Sequence, residues 1–164
     1  MPDLLLSTLN AKYAHASFGL RYLLANLHLS LQPHAKILEF DINQRPLDIA
    51  ESLLTHSPKI LGLGVYIWNV DQTTQLVSIL KRLAPNLILI LGGPEVSHET
   101  DSQPLCHLAD YTITGEAVRA FGNLCQQLLQ GHRPLMKIIP APLPQFQIES
   151  LNHRNIESLE DARI

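Results

Sequence analysis

The sequence predicts an α/β fold, a doubly wound parallel sheet of five strands in the order 2-1-3-4-5. Three observations point there. Short, nearly unbroken apolar runs recur, as in "KILGLGV" (59–65) and "LILIL" (87–91), and such runs suit strands covered on both faces. Segments with apolar residues at helical spacing separate them. Proline or glycine closes those segments, at Pro33, Pro85 and Gly131.

The elements follow in order. Residues 3–7 form the first strand. A helix over 17–31 carries Leu20, Leu23, Leu24, Leu27 and Leu31 on one face. "KILEF" (36–40) is the second strand, and a short helix spans 46–56. The third strand covers 59–65. Asp71 reads as the N-cap of a helix that runs to Ala84. The fourth strand, 87–91, is the most apolar. A turn or short helix falls within 99–108. "DYTIT" (110–114) is the fifth strand, and a last helix covers 117–129.

The 164 residues fit one domain, with enough chain to bury roughly 70% of its unfolded surface. The chain is 46% hydrophobic and 16% charged, which excludes disorder. A net charge of −3 gives no footprint for nucleic acid or an anionic membrane. Two cysteines, Cys106 and Cys125, do not make a disulfide scaffold and read as small buried apolar residues. No signal peptide and no apolar run of about 18 residues is present, so the expected location is the cytoplasm.

In this architecture ligands bind at the carboxyl ends of the strands. Four loops there carry chemistry: 8–19, 66–71, 92–99 and 115–121. A dinucleotide needs G-x-G-x-x-G after the first strand, where only Gly19 is found. The "GLG" of Gly62 to Gly64 lies inside the third strand and reads as a decoy. There is no Walker loop, and no acidic cluster for a phospho-receiver. Ser7 and Thr8 are poor support for a flavin phosphate loop. A large, flat ligand with apolar edges fits better. The glycine pair Gly92-Gly93 lets a rigid ring approach the backbone, and the following turn offers N–H donors. Tyr66 and Trp68 would wall that ring.

These loops resemble the cobalamin (B12)-binding domain at the N-terminus of B12-dependent radical SAM proteins. The resembling stretches are "NAKYAHASFGLRYLLANL", "ILGLGVYIWNV", "ILILGGPEVSHE" and "ADYTITGEAVRAF", which cover most of 1–129. "GGPE", followed about twenty residues later by "DYTITGE", carries most of the likeness. The resemblance implies a flavodoxin-like domain with the corrin on the carboxyl edge and the nucleotide tail slotted beside the sheet. It implies cofactor contacts at Asn10, Tyr13, His15, Tyr66, Trp68, Asn69, Gly92, Gly93, Pro94, Glu95, Gly115 and Glu116. It also implies a methyl transfer or radical reaction run by a radical SAM domain in cis.

The sequence departs from the pattern at two places. Methionine-synthase-like domains carry D-x-H-x-x-G in the first loop, and its histidine ligates cobalt. Here Tyr13 and Ala14 precede His15, no aspartate orients it, and Gly19 comes one residue late. His15 is therefore read as a loop histidine, as a contact to the corrin face or its side chains, or as a cobalt ligand. A radical SAM cluster needs C-x3-C-x2-C, and the two cysteines cannot supply it. The [4Fe-4S] cluster and S-adenosylmethionine would belong to another part of a full-length protein. Residues 1–139 are read as the cobalamin domain and 140–164 as a linker toward a radical SAM domain. The competing readings are a cofactor-free docking or structural domain, and a flavin-binding domain.

Overall fold

A computed structural model describes residues 2–11, 17–116 and 118–141. The sheet has six parallel strands: β1 (Leu4–Asn10), β2 (Ala35–Asp41), β3 (Ile60–Gly64), β4 (Ile88–Gly92), β5 (Tyr111–Thr114) and β6 (Ile138–Pro140). Their order is β2-β1-β3-β4-β5-β6. The helices are α1 (Phe18–Ala25), α2 (Pro46–Leu54), α3 (Val70–Leu83), α4 (Pro104–Leu108) and α5 (Val118–Leu129). The expected 2-1-3-4-5 order holds, and β6 extends it. That strand pairs Thr112 with Ile138 and Thr114 with Pro140. Three residues are too few for a periodic signal. Pro140, which has no N–H to donate, takes the last place on an edge strand.

The alternation along each strand divides the core. Leu5 and Leu9 of β1 face one side, with Ile49 and Leu53 of α2 and Leu76 and Leu80 of α3. Leu4 and Leu6 face the other side, with Leu20 of α1 and Phe121 and Leu124 of α5. The sheet is thus covered on both faces, which is why β3 and β4 read as near-continuous apolar runs. Among the described residues no helix is long and apolar enough to cross a membrane.

Several boundaries differ from the sequence reading: β1 runs on to Asn10, so Thr8 to Asn10 belong to the strand and not to the first loop, and α2 stops at Leu54. The first helix ends at Ala25 and not at Leu31. Ser17 caps its start, with Oγ accepting from the Leu20 N–H at 3.2 Å. Leu27 and Leu31 stay buried beyond its end, so their spacing reports the core and not the helix. The N-cap of α3 is Asn69, and Asp71 stands in its first turn. Both residue types suit a cap. Asn69 holds the position without a side-chain capping bond, because its side chain is engaged by Tyr66, Thr8 and Leu9 instead.

Candidate functional site

The carboxyl ends of β1, β3, β4 and β5 meet along one edge of the sheet. From this edge a cleft of about 250 Å³ runs down the α1–α5 face. Its floor is the middle of the sheet, where Leu6, Gly62 and Ile90 are lateral neighbours. Leu20 and Leu23 of α1 form one wall, and Val118 and Phe121 of α5 form the other. Gly64, Gly92, Gly93 and Gly115 line it toward the mouth, where Tyr66 and Glu116 also stand.

Each loop is held by identifiable bonds. Asn69 is fully buried, and its amide nitrogen lies 3.0 Å from the Leu9 carbonyl and 3.2 Å from Thr8 Oγ1. Its Oδ1 accepts from the Tyr66 N–H at 2.9 Å. The side chain therefore closes the β3–α3 loop and ties it to β1. Tyr66 and Trp68 stack with ring centroids 4.5 Å apart and planes 5° from parallel. Trp68 Nε1 donates to the Leu9 carbonyl, yet the residue stays 45% exposed.

The β4 loop turns on Gly93, whose φ of 112° and ψ of 172° are essentially open only to glycine. A Cβ there would meet the Val65 carbonyl oxygen at 2.5 Å. The close approach anticipated at Gly93 is thus made by the protein's own β3 end. Pro94 and Glu95 follow in a 3-10 turn, and the Glu95 N–H donates to that same Val65 oxygen. Ser97 joins two loops: its Oγ donates to the Gly93 carbonyl at 2.8 Å and accepts from the Gly115 N–H at 3.2 Å.

Asn10 and Ser17, described residues on either side of the first loop, are held from the neighbouring strand. Glu39 of β2 accepts from the Ser17 N–H, from Asn10 Nδ2 at 3.3 Å and from Arg21 at 2.8 Å. Burial alone would raise this carboxyl. The bonds from Arg21, Ser17 and Asn10, with the Arg21 charge, outweigh burial and hold it below its ordinary range.

Of the twelve residues expected at the site, Tyr66, Gly92, Gly93, Gly115 and Glu116 line the cleft. Trp68, Pro94 and Glu95 stand on loops of the same edge, outside it. The side chains of Asn10 and Asn69 are bonded within the chain. Tyr13 and His15 lie outside the described residues. Sequence reading missed Gly62, Gly64 and Ser97. The two strand glycines, dismissed as a decoy, border the cleft. A Cβ on Gly62 would sit 2.9 Å from the Phe121 ring, so the ring packs directly onto this strand and a side chain there would displace it. Glycine inside a buried strand is itself the signal of such a close approach.

Among the described residues no group of three or more His, Cys, Asp or Glu is placed to hold a metal ion. Cys106 and Cys125 are buried, unpaired thiols, and burial pushes the Cys125 thiol up to about 12.

The comparison that decides the family covers residues 5–125, which match the model of the B12 binding domain. The chain belongs to the B12-binding domain family. It is 29% identical over 76 residues to the cobalamin-dependent radical SAM methyltransferase TokK of Streptomyces tokunonensis. That match covers 46% of this chain and 11% of the enzyme, so the chain corresponds to a small part of its relative. Two solved structures share its fold. One is the radical S-adenosylmethionine methyltransferase TsrM of Kitasatospora setae, with a TM-score of 0.60 and 16% identity. The similarity covers 79% of this chain and 26% of that one. The other is a cobalamin-binding protein of Desulfitobacterium hafniense, with a TM-score of 0.55 and 22% identity, covering 77% and 58%. The chain is thus a flavodoxin-like B12-binding domain related to cobalamin-dependent radical SAM methyltransferases.

The residues present suit the cofactor. A long tail ending in a flat heterocycle needs an apolar slot beside the sheet, opening at the carboxyl edge. The cleft between α1 and α5 has that form: it is lined by Leu6, Leu20, Leu23, Ile90, Ile113 and Phe121 and opens toward the carboxyl edge at Gly93 and Gly115.

Proposed function

We propose that this domain holds cobalamin at the carboxyl edge and presents the corrin to a radical SAM domain of the same protein. Residues 140–164 would lead toward that domain, which would hold the [4Fe-4S] cluster and S-adenosylmethionine. The observation that carries the proposal is the apolar cleft opening at the loops that match the family. In this reading Leu6, Gly62, Leu23 and Phe121 receive the nucleotide tail. Tyr66, Gly93, Gly115 and Glu116 border the ring at the mouth. Asn69 and Ser97 act at one remove, by fixing those loops. Trp68 extends an aromatic surface beside the mouth. Bound cobalamin would supply the cobalt chemistry of methyl transfer or radical reaction, while the protein orients the group and excludes water.

Visible-absorbance titration of the purified chain with hydroxocobalamin tests this. Saturable spectral change is the expected result. No change at high micromolar concentration would overturn the proposal and leave the cofactor-free docking reading. Repeating the titration with His15→Ala assigns the cobalt ligand. A shifted spectrum would make His15 that ligand, and an unchanged one would remove it.

A further inference from the structure

We infer that the cleft selects among cobamides by the polarity of the tail base, admitting an apolar benzimidazole and rejecting a purine. This rests on the tail-in-cleft reading above and deepens it. The side chains at the deep end of the cleft carry no hydrogen-bonding group. They are Leu6, Leu20, Leu23, Ile90, Ile113 and Phe121. The backbone there belongs to paired strands: Leu6 lies beside Gly62, and Gly62 beside Ile90, so their N–H and C=O groups serve the ladder. The nearby Thr8 hydroxyl is also spent, donating to the Gly64 carbonyl at 2.8 Å and accepting from Asn69. The polar side chains of the lining, Tyr22, Tyr66 and Glu116, are partly or largely exposed.

The chemistry of the tail sets which edge of the base goes in first. The ribose joins the five-membered ring, so the six-membered ring leads. In dimethylbenzimidazole that leading edge carries two methyl groups. In adenine it carries an exocyclic amine and ring nitrogens, which would leave water for a site without partners. An unpaired buried polar group of this kind costs enough to weaken binding by about tenfold or more.

The test compares three ligands on the unmodified chain by absorbance or calorimetry: hydroxocobalamin, adeninylcobamide and tail-less cobinamide. Cobalamin is expected to bind at least about tenfold tighter than adeninylcobamide and tighter than cobinamide. Leu23→Gln, which places an amide at the wall on an exposed helix, should narrow the gap between cobalamin and adeninylcobamide. Equal affinity for those two, or for cobalamin and cobinamide, would overturn this inference and leave cobalamin binding intact. An unchanged gap in Leu23→Gln would also count against it. Failure of all three ligands to bind would overturn the underlying function instead.

Discussion

A side-chain carbon on Gly93 would lie 2.5 Å from the carbonyl oxygen of Val65. The glycine at the end of β4 is therefore required by the end of β3. The Val65 N–H donates to the Gly92 carbonyl, and the Val65 carbonyl accepts from the Glu95 N–H, so the two strand ends are laced together. The turn that borders the cleft is thus fixed by the strand backbone itself. Gly93→Ala should lower unfolding free energy by at least about 1–3 kcal/mol, from backbone strain alone, before the contact with Val65 is counted. Gly115→Ala should cost less, because a Cβ there would meet only the Ala141 Cβ, at 3.7 Å. Urea denaturation of the two variants checks the order.

Asn69 gives a second prediction. Its side chain bonds Tyr66, Thr8 and Leu9 from a fully buried position. Asn69→Ala leaves the Tyr66 N–H without its partner and removes the link from the loop to β1. The expected cost is about 1–3 kcal/mol, read by chemical denaturation. A loss below the error of that measurement would show that water replaces the amide.

Glu39 gives a pH dependence. Its carboxyl is held below its ordinary value of 4.5, so the folded state prefers the ionised form. The stabilisation it brings is fully present above that ordinary value. It is lost as pH falls through the lower value of the folded state. Glu39→Gln should therefore flatten the acid limb of the stability curve below about pH 4.5, relative to the unmodified chain. An acid limb with the same slope in both proteins would assign the dependence to other carboxylates.

The strands of the central sheet are legible in the sequence because two-sided burial writes itself as unbroken apolar runs. β3 and β4 follow from that alone, whereas β1, β2 and β5 are placed by their spacing between the helical segments. The cleft is not legible in the same way, because it forms where α1 and α5 stand apart over the middle of the sheet. Gly62 sits in β3 and Phe121 in α5, and no local pattern relates them. The role of Asn69 is likewise not local, because its amide bonds Thr8 and Leu9, about sixty residues earlier in the chain. Gly93 was legible as a position needing glycine, but its neighbour was not: the backbone that approaches it belongs to Val65 and not to a ligand.

The central claim is that the cleft between α1 and α5 receives part of the cofactor. Val118 lines it from the start of α5 and is partly exposed, so a larger side chain there can fill the cleft without entering the core. The most direct measurement is hydroxocobalamin affinity in Val118→Phe, alongside thermal melting of the same sample. The account predicts affinity weakened by at least about tenfold, equivalent to about 1.4 kcal/mol, with an unchanged melting temperature. Full affinity in a folded Val118→Phe protein would contradict it.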